Sequence, residues 1–274
     1  MKRVTFALAF LVLALSGMAA NAEERFITLA STTSTEQSGL FGHVLPIFQK
    51  ATGIAVHVVA VGTGQALAIG MRGDADVLLV HDRAGEDKFV AEGHGIDRRD
   101  VMFNDFVLIG PRDDSARIRG LKDAKEAFRR MATGSAPFAS RGDDSGTNRM
   151  ELRFWKVAGI DVSKRPPWYR DLGQGMGPTL NTAAGLRAYT LTDRATWANF
   201  HNRQDLEILT EGDPALFNPY GSILVNPAKG THIKAADAKA WHEWLTGPAG
   251  RAAISSFKIG GEQLFFPLPA EKTN

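Results

Sequence analysis

Apolar runs of strand length alternate along this chain with stretches of helical period, and turns rich in glycine or hydroxyl residues separate them. Phe26 to Ala30 reads as a strand, Ser31 to Ser38 as a polar loop, and Gly39 to Ala51 as a helix stopped by Gly53. Ile54 to Val61 is a second strand, Gly62-Thr63-Gly64 a tight turn and Gln65 to Met71 a helix. Arg72-Gly73-Asp74 breaks that helix before a third strand, Ala75 to Val80. The order predicts an α/β fold with a parallel sheet whose loops gather at the strand C-terminal ends, where such folds bind ligands.

The pattern closes at Asp105 to Gly110, a strand ended by Pro111, and then restarts. A helix near Leu121 to Thr133, a strand at Pro137 to Ser140 and a helix over Asn148 to Val157 come first. Thr179 to Leu186 reads as a helix, Ala188 to Leu191 as a strand, and Asp193 to Asn199 as a helix capped by Thr192. Ser222 to Val225 follows as a strand and Ala235 to Leu245 as a long amphipathic helix. The restart predicts two α/β lobes joined by two crossings: residues 23–106 plus 218–274 in one, 107–217 in the other. A ligand then sits in the cleft between them, with hinge closure as the natural motion.

Met1-Lys2-Arg3, an apolar run to Leu15, and Ala20-Asn21-Ala22 before Glu23 have the order of a secretory signal peptide, residues 1–22. The run is shorter than the ~18 apolar residues of a spanning helix. Cysteine is absent, which excludes disulfides, thiol catalysis, zinc–cysteine sites and a lipidated N-terminal cysteine. A periplasmic product without a lipid anchor is the expectation. Lys and Arg number 32 against 30 Asp and Glu, and loss of Lys2 and Arg3 balances them. Bulk charge therefore gives no ground for a nucleic-acid or membrane-surface partner, and any anion affinity belongs to a local site.

That site is legible in Ser140-Arg141-Gly142-Asp143-Asp144-Ser145-Gly146-Thr147. One fixed cation, two hydroxyls and a glycine-bracketed run of N–H groups stand just ahead of a helix, which is a receptor for a tetrahedral anion. Ser31-Thr32-Thr33-Ser34-Thr35 and Gly62-Thr63-Gly64 share its character, with hydroxyls and glycines at strand-to-helix turns and few carboxylates. Such donors accept a desolvated dianion without adding negative charge, through charge-assisted bonds of roughly 1.5–3 kcal/mol each.

These three loops, together with Asp76 to Asp82, Phe103 to Pro111, Tyr189 to Trp197 and Asn218 to Pro227, resemble the tungstate-binding proteins (TupA type) of tungstate ABC transporters. The resemblance spans nearly the whole chain beyond residue 22, in order. It implies a two-lobed type II periplasmic binding protein fold that hands an oxyanion, tungstate or molybdate, to a membrane permease. Carried across position by position, the anion contacts fall on Thr32, Thr33, Thr63, Arg141, Ser145 and Thr147, with Ser31, Ser34, Gly64 and Gly146 as further candidates. Where the family usually opens its hydroxyl loop with three threonines, this chain has Ser31 in the first place.

A phosphate- or sulfate-binding receptor of the same fold is the alternative, and the Arg141 to Thr147 run also resembles phosphate-binding receptors. Phosphate near neutral pH keeps a proton and gains from a carboxylate acceptor, whereas tungstate, molybdate and sulfate carry none. Asp143 or Asp144 is open to three readings: proton acceptor, partner of Arg141, or helix cap. An exported serine hydrolase is the rival of another class. Gly142-Asp143-Asp144-Ser145-Gly146 matches neither G-x-S-x-G nor G-D-S-G-G, since Asp144 intrudes, and none of the seven histidines stands in a triad context. His81-Asp82 and His242-Glu243 lack clustered metal spacing. The expectation is a monomeric binding protein with no enzymatic activity, cofactor or metal cation.

Overall fold

The computed structural model describes residues 25–269, so the segment read as a signal peptide lies outside the described residues. The chain opens with β1 (Phe26–Thr32), α1 (Thr33–Gln37), α2 (Leu40–Thr52), β2 (Ala55–Val61), α3 (Thr63–Arg72), β3 (Val77–Val80) and α4 (Arg83–Ala91). A 17-residue strand, β4 (Gly95–Pro111), leads to α5 (Ala124–Thr133), β5 (Phe138–Ser140), α6 (Gly146–Val157) and β6 (Tyr169–Asp171). Then come α7 (Met176–Leu186), β7 (Thr190–Asp193), α8 (Arg194–Asn199), β8 (Leu206–Thr210) and β9 (Phe217–Val225). The chain ends on α9 (Ala235–Thr246), α10 (Pro248–Ser256), β10 (Lys258–Ile259), β11 (Glu262–Gln263) and β12 (Phe266–Pro267). Among the described residues no helix is long and apolar enough to cross a membrane.

Strands β2, β1 and β3 lie side by side in parallel, as the alternation predicts. The sheet as a whole is mixed, because β9 runs antiparallel between β3 and β4. The physical reason is the double crossing. The chain leaves the first group of strands along β4 and returns along β9, and a return strand laid beside its outgoing partner must oppose it. Strand β4 changes partners between Asp105, opposite Phe217 of β9, and Phe106, opposite Asp193 of β7. Its last residues also pair with β8. A bridge from Phe138 to Tyr189 then links β7 to the parallel pair β5–β6.

Strands β1, β3 and β4 are covered on both faces. Ile27, Leu29, Val77 and Leu79 face a core with Phe48, Trp241 and Phe265, while Ala30, Leu78 and Val80 face a second core with Phe89 and Ile223. The alternation along β1 and β3 is the two-residue period of a strand buried on both sides. In β4, Phe106 and Leu108 join Phe128, Trp155 and Leu216, whereas Val107 and Ile109 join Leu180 and Trp197.

Three local expectations shift. Ser31 and Thr32 extend β1, and Thr33–Gln37 form a short helix in place of a loop. Asp193, one residue beyond the expected Thr192, caps α8 by accepting from the Thr196 N–H at 2.9 Å. A carboxylate one step further along the turn reaches the unpaired N–H groups, while Thr192 remains in the strand. The first half of β4 escapes the sequence pattern because Asp97-Arg98-Arg99-Asp100 interrupts its apolar alternation.

Candidate functional site

Arg141 follows directly on β5 and is 1% exposed, deep enough that its charge requires partners. Its Nη2 donates to Asp143 Oδ2 at 2.6 Å and to Thr33 Oγ1 at 3.0 Å. Among the described residues the Nε and Nη1 groups are buried without a partner, as is Thr147 Oγ1. Most buried polar atoms in folded proteins are paired, and of the six side-chain atoms buried without a partner among the described residues these three belong to the Arg141–Thr147 loop, which makes it a candidate place for an acceptor. Asp143 holds the guanidinium, and its Oδ1 also accepts from Ser145 N–H at 3.3 Å. Asp144 turns away at a positive φ of 55° and pairs with Arg149, Nε to Oδ1 at 2.7 Å.

Three loops meet here. Gly146 N–H donates to Thr63 Oγ1 at 2.8 Å, and Gly64 N–H to the Asp144 carbonyl at 3.1 Å. Gly64 and Gly146 are glycines because the loops press together. A Cβ on Gly64 would sit 1.8 Å from Asp144 Oδ2, and one on Gly146 would sit 2.7 Å from the His81 ring. Ser145 caps α6, its Oγ accepting from Asn148 N–H at 3.1 Å.

Hydroxyl protons separate the candidates. Thr33, Thr63 and Ser145 each use oxygen lone pairs to accept an N–H, which leaves their O–H groups uncommitted. Ser31 donates its proton to the Leu79 carbonyl at 2.6 Å, pinning β1 to β3. Ser34 lies 3.2 Å from His81 Nε2. Asn218 donates to Asn104 at 2.7 Å and Asn104 to Asp193 at 3.2 Å, so Asn218 Oδ1 must accept from His81 Nδ1–H at 3.0 Å. His81 is neutral, its pKa lowered to about 4 by burial and then by Arg141, so Nε2 accepts the Ser34 proton. Thr32 caps α1 through the Thr35 N–H and lies within bonding distance of the Ser34 and Thr35 hydroxyls, 3.1 and 2.7 Å away. Direct contacts link Arg141 to Thr33, Gly146 to Thr63 and Thr32 to Ser34, whereas Ser31 bonds β3 and the Thr147 hydroxyl has no partner among the described residues.

A second tier of residues, not singled out from sequence, fixes the first. Glu151 on α6 is buried and accepts from Ser140 at 2.7 Å, Trp155 Nε1 at 2.9 Å and the Tyr169 hydroxyl at 2.8 Å. Burial raises its pKa to about 7 against those bonds. Asp193 is buried too, and burial raises its pKa although Thr196, Arg141 and Asn104 oppose the shift. For Glu151 the available signal was a carboxylate three residues before Phe154 and four before Trp155 on α6, and that spacing alone does not separate a buried anchor from a solvated charge.

Ser145 has no histidine partner among the described residues, and His81 spends both ring nitrogens on Ser34 and Asn218. Residues 18–249 match the model of the PBP superfamily domain. The tungstate-binding protein TupA of Peptoclostridium acidaminophilum is 44% identical over 249 residues, 89% of this chain and 86% of that one. The chain belongs to the TupA-type tungstate-binding proteins. Solved structures of the same family agree. The tungstate ABC transporter structure from Geobacter sulfurreducens is 49% identical with a TM-score of 0.78, over 85% of this chain and 99% of that one. TupA from Desulfovibrio alaskensis G20 is 42% identical with a TM-score of 0.75, over 89% and 99%. The fold is the type II solute-binding fold, and the chain is a binding protein, not a hydrolase.

Proposed function

We propose that this protein captures tungstate, and accepts molybdate, between Arg141 and the hydroxyls of Thr33, Thr63, Ser145 and Thr147, and delivers it to an ABC permease. The observation that carries the reading is the buried Arg141 guanidinium with Nε and Nη1 unpaired beside the equally unpaired Thr147 hydroxyl. The relatives' tungstate binding supplies the identity of the anion. Ser31 and Ser34 support the loop in this reading, Thr32 caps it, and Gly64 and Gly146 let the loops close.

The chemistry favours a proton-free dianion over phosphate. Both oxygens of Asp143 already accept N–H donors, one of them from Arg141, which favours a role in holding the guanidinium over one as acceptor of a ligand proton. Residues 23–106 with 218–274 and residues 107–217 act as two lobes, hinged where β4 and β9 cross. A signal peptide over residues 1–22, a periplasmic location and a monomeric state complete the proposal.

Replacing Arg141 with Ala tests it. Truncating a buried charged hydrogen-bonding partner costs at least ~2 kcal/mol of binding. Isothermal titration should show tungstate affinity reduced by roughly thirtyfold or more. Affinity kept within about twofold would remove Arg141 from the site.

A further inference from the structure

Asp82 stands outside the anion site, just after β3 at the start of α4, yet its side chain is only 3% exposed. Two arginines of α6 cover it. Arg149 Nη1 reaches Asp82 Oδ2 at 2.7 Å and Arg153 Nη1 reaches Oδ1 at 3.0 Å. Arg149 also grips Asp144 with a fork, Nε to Oδ1 at 2.7 Å and Nη2 to Oδ2 at 2.8 Å. One guanidinium thus joins a carboxylate of the first group of strands to the corner of the Arg141 loop.

Two glycines shape the seat. A Cβ on Gly85 would fall 2.8 Å from Asp82 Oδ2 and 2.9 Å from Arg149 Nη1, and a Cβ on Gly64 would fall 2.9 Å from Arg149 Nη2. Asp144 in turn receives the Gly64 N–H on its carbonyl, beside Thr63. Burial alone would raise the Asp82 pKa, but hydrogen bonds and charge from Arg149 and Arg153 hold it below the ordinary carboxylate range. The carboxylate is therefore ionised through the neutral range, with both guanidinium groups charged.

We propose that Asp82 is a positioning residue for anion retention. Through Arg149 and Asp144 it latches the anion loop across the junction without touching the anion. This rests on the oxyanion-receptor reading above. A latch that forms as the loops meet should govern escape more than encounter, so its loss belongs to the dissociation rate.

The test is the release of radiolabelled tungstate from the wild type, Asp82→Asn, Arg149→Gln and the double variant, with association rates measured alongside. Asp82→Asn should release tungstate about tenfold faster with association changed less than twofold, and Arg149→Gln should match it. The double variant should be no faster than either single, because both remove one coupled contact. Release within about twofold of wild type, or an effect of the double equal to the product of the singles, would overturn the latch. Arg149 is partly exposed, so Arg149→Gln and Arg149→Lys carry the test should Asp82→Asn not fold. Lysine keeps the charge but cannot fork two carboxylates, and it should fall between wild type and Arg149→Gln. Wild-type binding stands or falls with the receptor reading, and the variants' release rates with the latch.

Discussion

Arg141 can be buried because Asp143 neutralises part of its charge and Thr33 takes another donor, while Nε and Nη1 keep their capacity for an incoming acceptor. The sequence singled out Arg141, Ser145 and Thr147 as candidates, since a cation and hydroxyls in a glycine-bracketed turn ahead of a helix suit an anion, although the same pattern also fits a capped turn. It could not rank Ser31 to Ser34. Their difference lies in who receives each proton, and that depends on Leu79 and His81, 47 or 48 positions along the chain. Glu151 was invisible for the same reason, its partners arriving from β5 and β6. Its folded pKa of about 7 stands above the unfolded 4.5, so between those values the folded state holds the proton more tightly than the unfolded chain does. Its stabilising effect is complete below pH 4.5 and is lost as pH rises through about 7. Glu151→Gln, which cannot ionise, should therefore gain stability relative to wild type between those limits. Urea unfolding at pH 5 and pH 8 measures this, and a gap independent of pH would show that Glu151 ionises alike in both states.

At the scale of elements, α6 begins directly after the Arg141–Ser145 loop, and Ser145 caps it. Ser145→Ala removes the Oγ acceptor of the Asn148 N–H and should lower unfolding stability by about 1 kcal/mol without anion present. Denaturant titration of the anion-free chain checks it, and no loss would mean that water replaces the cap. Most elements were legible because their period and stop residues are local. Gly53, for example, ends α2 in the left-handed region at φ 71°. The first half of β4 was not, because its charged residues are satisfied at long range. Arg98 bonds Glu86 of α4 at 2.9 Å, a contact absent from any local pattern.

For the whole molecule, alternation announced parallel strands, and β2, β1 and β3 are parallel. Strand direction at β9 was not readable, since nothing in Phe217–Val225 states which neighbour it will join. The place where β4 exchanges β9 for β7, between Asp105 and Phe106, falls beside the proposed division at residue 106. Asn104 and Asn218 bond one another there at 2.7 Å, and Asp193 and His81 extend the chain of bonds to the anion loops. A hinge at this point would carry the anion site at its own axis. The most direct test of the receptor account is isothermal titration of residues 23–274 with tungstate, molybdate, sulfate and phosphate at one pH and ionic strength. Tight binding of tungstate and molybdate with weak sulfate and phosphate is the predicted result. Phosphate binding more tightly than tungstate, or no heat from any of the four, would contradict it.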